Sequence, residues 1–323
     1  MSKALFRKVI PARYFSSIRA VLNSLSFFSY VAHDYEHIIR FRRRTVQISD
    51  IVRQYHRIEK AMCKKPYDSS RGLRAVDNLT KLLKRYEVEN DQKSCQFYVG
   101  ILVLKKFFLK NNDETSDRFK SWENLDKYDK EIPAGVEITN KNYFIENSSC
   151  SFEKLARSRK SIRYFSEEEV DVNLIIKALD IAKKTPSVCN RQGWHTWVVT
   201  EPTMIDEFRR VHNGFAEKNQ NLATLLVMTF KKDVFDYPLE RNQGFTDAGL
   251  FSMSVMYALT SVGLASCPLN SNLLIKDKKE FSKRVGIPQN YTIVMFIAVG
   301  NYLESNRTPI SHRYPVLDKT TFL

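Results

Sequence analysis

Arg159, Lys160, Ser161 and Arg163 put three cations and a hydroxyl into five consecutive positions, just ahead of an apolar-periodic stretch. A phosphate asks for that combination. Guanidinium forks supply fixed charge and paired donors, and a short hydroxyl adds one more hydrogen bond. A lone basic cluster is ordinarily a solvated charge run. Here a second polar cluster follows: Thr185-Pro186-Ser187-Val188-Cys189-Asn190-Arg191-Gln192-Gly193-Trp194 is dense in side-chain amides and hydroxyls and ends in an aromatic. Two such clusters in succession tip the reading from solvated charge to binding site.

The elements that must position them follow from apolar spacing. Residues 172–184 are amphipathic through Leu174, Ile175, Ala178, Leu179 and Ile181, which predicts a helix between the clusters. The second cluster runs into a strand at Trp197-Val198-Val199-Thr200. Residues 222–230 form a buried-strand run with a helical alternative, and 292–300 read as a further core strand. Residues 251–264 are apolar nearly all round, which predicts a buried helix. Upstream, Ile51, Tyr55, Ile58 and Met62 share one helical face, and residues 46–112 read as helices. His56 and Glu59 stand one turn apart. They are read as a helix-surface hydrogen-bond pair, with a substrate contact as the alternative. Residues 113–150, rich in Asn, Asp and Ser, read as a linker or long excursion.

The chain has 323 residues, 43% hydrophobic and 12% aromatic, which excludes global disorder. Its net charge of +15 is uneven: residues 1–150 hold 28 Lys+Arg against 18 Asp+Glu. Residues 1–45 have apolar side chains at helical spacing and close on Arg40, Arg42, Arg43 and Arg44. An amphipathic helix packed on the fold is the expectation, and contact with anionic lipid is the alternative. The stretch 21–32 is broken by Asn23, Ser24, Ser26 and Ser29, which argues against a signal peptide, and no apolar run is long enough to span a bilayer. Five scattered cysteines without C-x-x-C spacing argue against a disulfide framework and for a reducing compartment. His33 and His37 lack a third ligand, so no metal is expected. No recognised nucleic-acid motif accompanies the basic charge, and no nucleic-acid partner is expected.

Arg159, Ser161, Arg163 and Phe165, then Ala182, Pro186, Ser187, Asn190, Gln192 and Trp194, resemble the N-terminal signature of the flavin-binding nitroreductase superfamily. Asp247-Ala248-Gly249, the segment Gly263 to Asn270 read as the end of a long apolar helix, and the strand ending at Gly300 resemble its later motifs. His56-Arg57-Ile58-Glu59-Lys60-Ala61-Met62 is similar to an element of family members that carry an extra N-terminal helical region, with Ala61 where they have glycine.

The resemblance implies an α+β fold with a central mixed or antiparallel sheet flanked by helices. It divides the chain into a basic, mainly helical region, 1–147, and an FMN-binding domain, 148–323. Arg159 and Arg163 would fork the FMN phosphate with Ser161 donating, while Lys160 approaches the pyrimidine edge of the ring. Pro186, Ser187, Asn190 and Gln192 would meet the flavin across a homodimer interface, with the 251–264 helix in the dimer core. Pro268, Leu269 and Asn270 would lie over the ring. Arg313, in Ser311-His312-Arg313, would return to the phosphate, with Arg307 as the competing candidate. NAD(P)H is the implied electron donor and a small molecule the acceptor. The basic N-terminal region would suit an anionic substrate or a membrane surface, and the protein would be cytoplasmic or peripheral to a membrane. No side-chain acid or base is required, and Cys189 and Cys267 read as small packing residues. The competing expectation is a non-enzymatic dimeric scaffold with a degenerate flavin fold.

Overall fold

The computed structural model describes residues 48–89, 92–112, 132–148, 150–212, 215, 217, 220–235 and 240–323, with isolated positions 21, 24, 25 and 28. Of the expected N-terminal helix, only Val21, Ser24, Leu25 and Phe28 are described, all helical and exposed. His33, His37 and the arginines at 40–44 lie outside the described residues, as do 113–131 of the expected linker.

Three helices follow: α1 (Ile48–Met62), α2 (Leu73–Glu89) and α3 (Cys95–Lys110). α1 buries Ile51, Tyr55, Ile58 and Met62, the predicted face, against Val76, Leu79 and Leu83 of α2 and Phe97, Leu104 and Phe107 of α3. At Gly100 of α3, a Cβ would stand 3.1 Å from Ile51 and 3.3 Å from Leu83, so the missing side chain sets how closely the three helices pack. Only Val136, from the strand that follows, joins this cluster from a sheet.

The expected linker carries structure that its composition conceals. β1 (Val136–Asn140) pairs antiparallel with β6 (Ser305–Pro309), and α4 (Lys141–Glu146) follows, capped by Asn140 accepting from Tyr143 N–H. Five alternating residues are too few to announce a strand; the partner lies far along the chain. Phe144 of α4 is buried in the sheet core, stacked on Tyr302 at 4.2 Å between centroids and 11° between planes. The division expected at 147/148 therefore falls three residues after a side chain of that core.

The main sheet has the order β2 (Trp194–Val199), β3 (Thr224–Lys231), β5 (Tyr291–Gly300), β4 (Ala265–Asn270), antiparallel throughout. The α+β class with a central antiparallel sheet is therefore present, and 222–230 resolves as strand. Strand β3 is buried on both faces. Leu225 and Val227 pack with α7 (Pro202–Val211) and α9 (Ile275–Val285), while Leu226 and Met228 pack with α6 (Val172–Ala182) and α8 (Gln243–Ser261). The remaining helix, α5 (Phe152–Ser158), precedes the first basic cluster. A bulge in β5 opposite Met228 and Thr229 leaves Val294 unpaired, so Ile293 and Phe296 share the α7–α9 face.

Two expectations are corrected. The segment from Ala265 to Asn270 is not the end of a helix but the edge strand β4; Gly263, at φ +82°, ends α8, and Pro268 is tolerated because an edge strand can spare its N–H. The apolar helix begins at Gln243, ahead of the expected start; within 251–264 no residue is exposed, in line with the expected burial. Phe251, Val255 and Leu259 face the core, whereas Phe245 and Leu250 are 45% and 48% exposed.

Candidate functional site

The basic cluster is held by backbone. α5 ends at Ser158, and the chain then runs beside β4, where Ser161 bridges Ser266 in parallel and Ile162 N–H donates to Ser266 C=O at 2.9 Å. Ile162 and Phe165 enter the sheet core and lock the register. A Cβ on Gly300 would overlap the Phe165 ring, so this position must be glycine. Arg163 thereby lines a cavity of about 580 Å³ together with Pro268, Leu269 and Asn270 at the end of β4.

The opposite wall is α1 and the residues just after it. His56, Arg57, Lys60, Cys63 and Lys64 line the cavity, set at helical spacing on the face opposite Ile51, Ile58 and Met62. Residues between α7 and β3 close it: His212, Glu217 and Gln220. Glu217 ties the walls together, accepting from Lys64 and Arg71 on one side and from Tyr164 Oη at 3.2 Å on the other. Burial alone would raise its pKa, but the bonds from Lys64 and Arg71 outweigh that and hold the carboxyl below its ordinary value. The Gln220 amide donates to Arg163 C=O at 3.3 Å. His212 stacks on Phe208 and its Nε2–H donates to Asn270 C=O at 3.1 Å; burial lowers its pKa, so the ring is neutral at pH 7.

Cations converge on Cys267, whose sulfur is wholly buried in β4. Burial pushes the thiol pKa up, and Arg163, Lys60 and Arg159 pull it back, in that order. Arg159 is half-buried, its Nη1 is shielded from solvent with no hydrogen-bond partner, and burial together with nearby Arg313 lowers its pKa. Arg159 and Arg313 do not line the cavity; they act at another end of the same charged region. Arg307 instead sits with Lys65, Arg163 and Tyr164 in a small recess.

Lys160 also lies away from the cavity, bound to Glu137 of β1 at 2.6 Å in an open recess. The second cluster is apart too. Pro186, Asn190 and Gln192 are exposed, Ser187 is half-buried, and none lines the cavity of this single chain. Their loop is tightly wound. Cys189, Asn190 and Gln192 all have φ near +50°, a region that disfavours side chains. Ser187 Oγ accepts from Gln192 N–H at 2.9 Å, and Asp247 of α8 accepts from Val188 N–H at 3.2 Å, which hold the turn. Cys189 is exposed, which corrects its reading as a packing residue; Cys267 is buried as expected.

The His56–Glu59 reading is corrected as well. Glu59 is not at the surface but fully buried, accepting from Gly135 N–H at 3.3 Å with His56 Nδ1 3.5 Å away, and only His56 reaches the cavity. Of Lys60, Lys64, His212 and Glu217, the sequence reading names only Lys60, within the His56–Met62 element, and gives none of them a role. The signal for the first two was available: they repeat at helical spacing opposite an apolar face.

Residues 156–243 match the Nitroreductase family. An Archaeoglobus fulgidus protein named "Putative NADH dehydrogenase/NAD(P)H nitroreductase" is 24% identical over 147 residues, which is 46% of this chain and 83% of that protein. A protein of the same name from Methanothermobacter thermautotrophicus is 31% identical over 113 residues, 34% of this chain and 56% of the relative. Among solved structures, a nitroreductase with bound FMN from Desulfitobacterium hafniense aligns with a TM-score of 0.41 and 21% identity, over 53% of this chain and 97% of that one.

Proposed function

We propose, for a chain whose residues 156–243 belong to the nitroreductase family, that it is an FMN-dependent oxidoreductase drawing electrons from NAD(P)H. The observation that carries the reading is the half-buried Arg159 guanidinium, whose Nη1 is shielded from solvent, without a hydrogen-bond partner, beside a second cation, Arg313. Such a group costs free energy unless an anion joins it, and a cofactor phosphate is the anion that fits.

The residues present fit FMN. Arg159 and Arg313 would hold the phosphate with Ser161 close by. Arg163 would put positive charge against the ring in the cavity that Pro268, Leu269 and Asn270 line, and about 580 Å³ lies within the usual range for a ligand site. When bound, the flavin supplies reversible two-electron chemistry. The chain's own groups orient and tune. Arg163 favours negative charge at its side of the cavity. His212 is fixed as a neutral donor to Asn270 C=O. Burial pushes the Cys63 thiol up to about 12 and keeps the Cys267 thiol protonated, so neither is a nucleophile. No side-chain acid or base is assigned. Reductant and acceptor would use the one cavity in turn, which gives ping-pong kinetics.

A homodimer belongs to the proposal. Exposed Ile176 and Ile181 on α6 and Phe245 and Leu250 on α8 support it, as does the 186–192 loop, which would complete a partner's site. Purified protein should show flavin absorbance and release one FMN per chain on denaturation. Protein that stays colourless after reconstitution with FMN sinks the reading.

A further inference from the structure

The helical wall of the cavity holds more positive charge than the flavin reading uses. α1 and the turn after it present Arg57, Lys60 and Lys64, and Arg163 faces the same space. Among the lining residues the one carboxylate is Glu217, already engaged by Lys64 and Arg71. Arg57 stands at the exposed end of the row and shares a 3.4 Å contact with Gln54. Lys60 is the exception. Its ammonium makes no hydrogen bond or ion pair among the described residues. Burial, and then Arg163, Arg57 and Lys64, push its pKa down, with Cys267 opposing.

A solvated charge run does not account for this, because Lys60 is half-buried. Helix packing does not account for it either, because the residues that pack α1 lie on its other face. Cofactor phosphate held by Arg159 and Arg313 would leave Lys60 uncompensated, since neither arginine lines the cavity. Cations gathered out of water are stabilised when an oxyanion sits among them.

We propose that α1 forms an acid-group subsite, in which Lys60, with Arg57 at the mouth, binds a carboxylate or phosphate carried by the electron acceptor. The proposal rests on the oxidoreductase reading for the word acceptor, and on the cavity alone for the anion. The subsite selects an acceptor with an acidic end and disfavours a neutral one of the same shape. It also gives the helical region a part in the reaction, as the wall that chooses the substrate.

The test compares 4-nitrobenzoate with nitrobenzene in the full-length protein, with NADH and NADPH each as reductant. It is run on wild type, Lys60→Gln and Lys60→Arg. Wild type should favour 4-nitrobenzoate in kcat/KM. In Lys60→Gln the ratio of the two kcat/KM values should fall about tenfold or more, the scale of one charge-assisted contact, and Lys60→Arg should restore most of it. Calorimetric titration with 4-nitrobenzoate reads the same contact without turnover. A flavin-free protein that binds 4-nitrobenzoate through Lys60 would refute the oxidoreductase reading and keep the anion site. An unchanged ratio and unchanged binding in Lys60→Gln would overturn the subsite. So would a loss that follows NADPH over NADH instead of the acceptor's acid, because the anion bound would then be the reductant's phosphate.

Discussion

The two walls of the cavity are built by different means. One is held by backbone: Arg163 and Tyr164 follow the Ser161–Ser266 bridge that ties the chain to β4, and Pro268 to Asn270 are placed by the ladder to β5. The other is one face of a helix, whose register is set by Ile51, Ile58 and Met62 in an apolar cluster built mainly of helices. Strand-held positions tolerate little movement along the chain, because a slip of one residue turns each side chain to the other face. Helix-held positions depend on side-chain packing over several turns. The difference teaches why the first wall is legible from local spacing, whereas the direction of the second follows from a helical period.

The largest effect should come from the strand-held wall. Arg159→Ala with Arg163→Ala removes two charge-assisted contacts of about 1.5–3 kcal/mol each. FMN affinity should then fall roughly a hundredfold or more, read as the flavin-to-protein absorbance ratio after dialysis. Full flavin retention in the double variant would show that this wall does not hold the cofactor.

Next is the seam between the regions. Phe144 lies before the expected division yet packs under Tyr302 in the sheet core. Phe144→Ala should cost about 3–5 kcal/mol, seen as a lower midpoint in urea with an unchanged slope. A chain cut at 147 loses that ring and β1, the partner of β6, and should be less stable still. Equal stability of cut and intact chains would mean that the sheet core does not need the seam.

Glu217 joins the walls, and it should make stability acid-sensitive. Its carboxyl titrates below the ordinary value of 4.5. Its contribution is therefore complete above that value and is lost as pH falls through the depressed one. Glu217→Gln should flatten this part of the acid limb in a comparison of thermal midpoints from pH 6 down to pH 3. An identical acid limb in both proteins would assign the sensitivity elsewhere.

The smallest effect is expected at Lys160. Its pair with Glu137 is partly exposed, so Lys160→Ala should change stability by less than about 1 kcal/mol. The flavin reduction potential should not move. A shift in potential would bring Lys160 back to the ring edge and weaken the distinction between cavity and recess.

Much of the strand-held wall was legible because its requirements are local. Arg159, Ser161 and Arg163 sit at fixed spacing, and Gly300 ends a strand that reads plainly in hydropathy. β4 was misread because the apolar helix before it runs on without a break in composition, and only Gly263 marks the stop. β1 was missed since its partner is distant in sequence. Glu59 looked like a surface residue because a helical wheel cannot show that Gly135 N–H waits beside it. Lys60 stands in the His56–Met62 element without a role of its own, and Lys64 falls outside it. Their shared direction has meaning only once residues 163 and 268–270 stand opposite.

One property of α1 has an evolutionary consequence. Its core-facing and cavity-facing positions interleave along one helix without overlapping. Selection on selectivity can therefore exchange Arg57 or Lys60 while Ile51, Ile58 and Met62 keep the helix seated. A lineage with this architecture is free to change its diet of substrates in single mutational steps, each nearly neutral for folding.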